Sequence, residues 1–408
     1  MTKPFNWEDD KKLFMRVGTK FYKIVDKLLL SGDTIQIFVL WSRQALIDDY
    51  GKECLKSIRK FDGFCNYPSH TNYRQTIGNL YNRYNKLNYE AEEGSIDNFK
   101  KLIKHIFQSQ YELGLDYMTL LYQRPIQALP VLCLVSSKRN TGKSTLINFL
   151  KILFGDNVTI NKDEDFRSRF TSDWISNLII GIDEALLNRQ EDSERIKNFS
   201  TAKSTKKEAK GVDRTDVEFF GKFIICSNYE ETFIKIDEGE TRYWVIKVNE
   251  LNHDDVFFLD KLKKEAPAIL HFLSTRKVTT ENSSRMWFHP SLLKTDALRR
   301  VINRNKSKAE LELASIFNDI LYDFDQEEIK FTLTDAVAFL NRSKLRDIQR
   351  TQIKEILQQK WQLSPIENAS TYTKYTISSE GNIYETPQAK GRYYTVNKEF
   401  IDDKLLNC

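Results

Sequence analysis

Through the middle of the chain, short and wholly apolar runs alternate with polar tips and amphipathic stretches. The runs lie in VLCLVS (131–136), SNLIIGID (176–183), KFIICSN (222–228) and YWVIKV (243–248). Runs this short, apolar at consecutive positions and closed by polar residues, predict strands buried on both faces, as in a parallel sheet. After the first of them, KSTLINFLKILFG spaces its apolar residues at helical intervals and stops at Gly155, which predicts a helix. Strands interleaved with helices predict an α/β core that binds its ligand at the strand C-termini.

The flanks follow other rhythms. Residues 1–120 mix strand-like runs (KFYKIVDKLLL, TIQIFVLWSRQALIDDYG) with a helical stripe formed by Phe99, Leu102, Ile103 and Ile106. Tyrosines and basic residues cluster in YPSHTNYRQTIGNLYNRYNKLNY, a pattern that suits aromatic packing in a small domain better than stacking on bases. Residues 276–306 are rich in Arg and Lys and read as a basic linker. A helix then opens with a capping box from Ser307 to Glu310 and carries Leu313, Ile316, Phe317, Ile320 and Leu321 on one face. Two further helical patterns and two β-runs complete residues 307–408, a winged-helix-like order.

Composition adds boundaries rather than an activity. The chain has 408 residues, 40% hydrophobic and 29% charged, with a net charge of +5, compatible with a polyanionic partner. No run approaches the ~18–20 apolar residues of a membrane span, and MTKPFNWEDDKK lacks the pattern of a secretory signal. A cytoplasmic protein with no membrane partner is expected. Its five cysteines lack paired spacing; Cys133 and Cys226 sit inside apolar runs and read as buried thiols.

The candidate chemistry begins at SSKRNTGKST. In a phosphate-binding loop the backbone N–H groups at a helix N-terminus wrap a phosphate, and a lysine reaches its outer oxygens. Asn140, Thr141, Gly142, Lys143, Ser144 and Thr145 match the end of such a loop, and Ser137 stands where its first glycine is expected. A buried strand before it and an apolar-periodic helix after it supply the required context. The second strand ends in Asp183 and Glu184, placed to order a magnesium shell with Ser144 and to polarise a water. The third ends at Asn228, a position from which to sense the γ-phosphate. Arg242 precedes the fourth strand, beyond easy reach of its own nucleotide, where it can serve a neighbouring subunit. ATP and Mg²⁺ are the ligands this order implies.

Phosphate loop, Asp-Glu strand, Ser-Asn strand and late arginine all fall within residues 137–242, and this compactness resembles the superfamily 3 helicases. These form the AAA+ branch of viruses, phages and mobile elements, and the likeness is to the helicase part of phage- and plasmid-type primase-helicases. The resemblance implies an AAA+ ATPase domain over 121–275, an N-terminal collar over 1–120, and a hexamer or similar homo-oligomeric ring. It also implies a lysine-bearing helix and a β-hairpin between the carboxylate and sensor strands. RIKNFSTAKSTKKEAKGVDRTDVEFFGKFIICSN matches that element, with KKEAKG and DVEFFGKF as arms. Lys197, Lys203, Lys206, Lys207, Lys210 and Arg214 would then grip single-stranded or forked DNA.

The sequence is therefore read as an ATP-driven DNA helicase of phage or mobile-element replication, moving 3′→5′ by resemblance. Its C-terminal domain would hold duplex DNA through IQRTQIKEILQQKW, Lys390 and Arg392. No polymerase carboxylates are evident in residues 1–120, so a primase or polymerase would be a separate chain. Two alternatives remain open: an AAA+ switch that remodels proteins, and a replication initiator that binds ATP without turnover.

Overall fold

The computed structural model describes residues 6–28, 34–202, 204–209, 212–237, 239–251, 255–304, 308–342, 349–378 and 382–406. The chain forms two compact units. The first comprises Met1–Ala185, Glu194–Asn228 and Arg242–Leu293, the second Leu186–Ser193, Tyr229–Thr241 and Lys294–Cys408.

The centre of the first unit is a five-stranded parallel sheet. Its order is Tyr243–Lys247, Val131–Val135, Lys222–Ser227, Ile179–Ile182 and Val158–Asn161. The four apolar runs supply four of these strands, and burial of almost every residue in them accounts for their unbroken apolar character. The fifth, Val158–Asn161, lies at the edge and is half polar. The helix Lys143–Phe154 follows the Val131 strand and ends at Gly155, whose φ of 57° is open to glycine.

The helices Asp97–Phe107 and Tyr111–Gln123 belong to the same core as the sheet. Phe99, Leu102, Ile103 and Ile106 are buried with Leu150, Trp244 and Ile269. Residues 276–293 differ from the linker reading, because they too are folded into this core. Buried Asp116 accepts an ion pair from Arg276 and hydrogen bonds from the Thr279 N–H (3.1 Å), Thr279 Oγ1 (2.8 Å) and the Thr280 N–H (2.8 Å). Trp287, Phe288 and Leu293 follow it inward. Burial alone would raise the Asp116 carboxyl; these donors outweigh it and hold the group below its ordinary range.

Ahead of these helices lie two small sheets. One orders Thr34–Trp41, Lys20–Leu28, Phe14–Val17 and Arg59–Phe61; the other orders Gly63–Cys65, Leu80–Asn82 and Thr76–Ile77. The tyrosine cluster serves packing here: Tyr81 meets Phe38, Phe61 and Phe64 edge-on, and buried Tyr84 bonds His70 through its hydroxyl (2.7 Å).

The second unit builds its own core from the helices Lys308–Asp323, Leu333–Arg342 and Arg350–Glu355, the last continued by one π turn to Lys360. The whole Leu313–Leu321 stripe is buried. Ser307, expected to cap the first helix, lies outside the described residues. Its partner Glu310 is buried and accepts from Trp361 Nε1 (3.0 Å) and Lys360 Nζ (3.1 Å). A hairpin, Ser370–Ile377 with Ile383–Gly391, follows as expected. A short pair, Glu328–Phe331 with Tyr394–Asn397, and a last helix, Lys398–Leu406, were not read from the sequence.

Candidate nucleotide site

Parallel register brings three strand ends to one edge of the sheet. Val135 pairs with Ser227 and Ile182 with Ile225, so the loop 136–142, Asp183 and Asn228 all emerge from the same side. That is the edge where an open α/β sheet binds ligands.

The loop from Ser136 to Gly142 is braced from outside. The Leu251 N–H donates to the Asn140 carbonyl (3.0 Å), and His105 Nε2 lies 3.0 Å from the Thr141 carbonyl. Asn140 and Gly142 adopt left-handed backbone (φ 51° and 82°), which curls the chain before the helix begins. Lys143 is buried, and its Nζ lies among Thr141 Oγ1 (3.0 Å) and the carbonyls of Ser136 and Lys138 (both 3.4 Å). The ammonium is thus centred in the loop. Ser137 and Asn140 are exposed, and Thr145 is half-buried on the first helical turn.

Ser144 Oγ donates to Asp183 Oδ1 at 3.1 Å, which joins the loop to the carboxylate strand. The same Oδ1 accepts the Glu184 N–H (3.1 Å), and the Asp183 N–H donates to Asn161. Glu184 is exposed and holds a left-handed φ of 57°, a conformation that costs a non-glycine residue roughly 1–2 kcal/mol. Next to it, the Ala185 N–H donates to the Cys226 carbonyl (2.8 Å) and Ser227 Oγ donates to the Ala185 carbonyl (2.5 Å). These two bonds pin the carboxylate turn to the strand that leads to Asn228, which is exposed. Burial pushes the Cys226 thiol well above its ordinary range; the Asp183 charge adds to the shift and the Lys143 charge opposes it. Both charges therefore act on one point at this edge.

Arg242 lies elsewhere. Its carbonyl accepts from the Val131 N–H (2.8 Å), at the start of the strand whose far end carries the loop. Five residues at about 3.3 Å each separate the two edges by roughly 15 Å. Arg242 and Lys143 of one chain are not brought together.

The expected lysine helix and hairpin are present, as the helix Gln190–Thr201 and the arms Ser204–Ala209 and Val212–Glu218. The arms end earlier than expected, because Phe219 and Phe220 are buried and Lys222 already belongs to the sheet. Lys197 is mostly buried and paired with Glu194 (3.4 Å). Lys206 is exposed, across from Asp216. Lys207 and Arg214 are placed by their backbone in the two arms, while Lys203 and Lys210 lie outside the described residues.

Sequence reasoning missed His105, Asn161, Leu251 and the Ser227–Ala185 pair. None carries a local signal, since each makes or receives a hydrogen bond with a backbone group that only the fold brings close. Among the described residues no helix is long and apolar enough to cross a membrane.

Comparison with known proteins gives a family match over part of the chain. Residues 134–242 match a family of unknown function (DUF5906), a span that runs from the loop strand to Arg242. No curated protein matches the chain. Among solved structures, the apo C-terminal region of NrS-1 (305–718) is similar at 14% identity, with a TM-score of 0.62 over 92% of this chain and 95% of that one. An A-form apo structure of the same region is similar at 15% identity, with a TM-score of 0.61 over 92% and 96%. The likeness is one of fold.

Proposed function

We propose that the chain is an ATP hydrolase of the AAA+ type that drives strand movement in phage or mobile-element DNA replication, as superfamily 3 helicases do. One observation carries this reading: Ser144 Oγ and Asp183 Oδ1 meet at 3.1 Å beside a lysine centred in a phosphate loop. Hydroxyl and carboxylate oxygens are the ligands Mg²⁺ prefers, so these two side chains fit the ion, which would neutralise charge on the phosphate oxygens. Lys143 and the amides of residues 140–145 would hold the β- and γ-phosphates. Glu184, exposed and turned by its left-handed backbone, would take the proton of the attacking water, and Asn228 would read the γ-phosphate.

The position of Arg242 on the opposite sheet edge supports a role in a neighbour's site and hence a ring of like subunits. Exposed Lys206 on the hairpin supports contact with DNA phosphates. The helices and hairpin of the second unit fit a winged-helix-like nucleic-acid module.

The test is ATP turnover with and without single-stranded DNA. A translocating motor speeds up severalfold when the strand is added. Turnover indifferent to DNA would contradict this reading and favour a protein-remodelling switch.

A further inference from the structure

The second unit contains a polar cleft of about 530 Å³ that no part of the nucleotide site uses. Arg350 enters it from the first turn of its helix, and Lys390 and Arg392 come from the end of the hairpin. All three are exposed. Among the described residues no carboxylate lies within ion-pair distance of any of them.

The carboxylate in the cleft is already committed. Asp335 is 2% exposed and accepts from Tyr372 Oη (2.5 Å), Thr332 Oγ1 (2.7 Å) and the Thr332 N–H (2.9 Å), and it pairs with Lys374 (3.0 Å). Burial would raise its carboxyl, but these donors prevail and hold it below the usual range, so it stays ionised and occupied. Arg350 donates to Thr334 Oγ1 (3.2 Å) and Arg392 to the Ile366 carbonyl (3.1 Å), neutral acceptors that orient the two guanidinium groups without neutralising them. The fold has brought three like charges from two elements, a helix start and a hairpin end, to one concavity and left their counter-charge to come from outside.

We propose that this cleft, formed by Arg350, Lys390 and Arg392 over the Asp335–Lys374 pair, binds consecutive phosphates of a nucleic-acid backbone. Two forked guanidinium groups suit the paired oxygens of a phosphate, and cations spaced along an open rim suit a chain of phosphates better than one. The proposal deepens the reading of the chain as a nucleic-acid-dependent motor, and rests on it only for the partner's class.

The experiment is a lysine footprint of the full chain. Lys390 acetylation by a water-soluble ester is followed by mass spectrometry alone, with duplex or single-stranded DNA, and with inorganic phosphate at the same phosphate concentration. Parallel anisotropy titrations record DNA binding at several salt concentrations. DNA should slow Lys390 acetylation at least about fivefold while inorganic phosphate does not, and removing three phosphate contacts with Arg350→Ala, Lys390→Ala and Arg392→Ala together should flatten the salt slope by about 2–3. Unchanged Lys390 reactivity on a chain that binds DNA would overturn the proposal, as would equal protection by inorganic phosphate or no DNA binding at all. ATP turnover without DNA, measured on the same variants, stays at the wild-type rate. It reports on the nucleotide site separately from this cleft.

Discussion

Lys222 shows how a single buried charge couples the fold to pH. It is 2% exposed, and its Nζ donates to the carbonyls of Pro125 and, at 2.7 Å, Phe220. Among the described residues no carboxylate pairs with it, and burial pushes its amine down to about 7. In the unfolded chain the same amine titrates near 10.4. Between those values the unfolded state binds the extra proton, so raising the pH through that window stabilises the native state; below about 7 the cost of the buried charge is felt in full. The melting temperature of the wild type, measured relative to Lys222→Met, should therefore climb steadily from about pH 7 to about pH 10. A difference that stays flat over that range would place the proton elsewhere.

At the scale of elements, the loop and its helix depend on backbone as much as on side chains. Gly142 holds φ 82°, and an added Cβ there would meet only His105 and Ile106 at ordinary distances, the nearest 3.7 Å away. Gly142→Ala should thus destabilise by roughly 1–2 kcal/mol through backbone strain alone. Urea unfolding measures this, and a stability unchanged from wild type would mean that the loop relaxes freely. The same contrast explains what the sequence could and could not reveal. Val131–Val135 and Lys222–Ser227 were legible because burial on both faces leaves unbroken apolar runs. Val158–Asn161 was not, because an edge strand with Thr159 and Asn161 has no such run. Lys143, Ser144, Asp183 and Glu184 were legible from local motif and strand position. The Asp116–Arg276 clamp joins residues far apart in sequence, and neither periodicity nor charge density could announce it; the same basic residues therefore read as a linker.

Across the whole molecule the proposed reading assigns two kinds of phosphate chemistry, one to each unit. The first unit gathers Lys143, Ser144, Asp183 and Glu184 at one sheet edge, where an ammonium, a hydroxyl and two carboxylates suit a hydrolysable triphosphate. The second unit gathers Arg350, Lys390 and Arg392, cations with no hydrolytic partner, which suit a phosphate chain that is held rather than cut. The first of these is central to the proposal, because a motor of the kind proposed needs turnover before its grip on a strand has any consequence. The most direct measurement is ATP binding and ATP turnover on wild type, Lys143→Ala and Glu184→Gln in one set of preparations. Glu184→Gln should bind ATP within about threefold of wild type and lose turnover on the order of a hundredfold, while Lys143→Ala should lose binding. Normal binding and turnover by Lys143→Ala would contradict the account and move the nucleotide away from this loop.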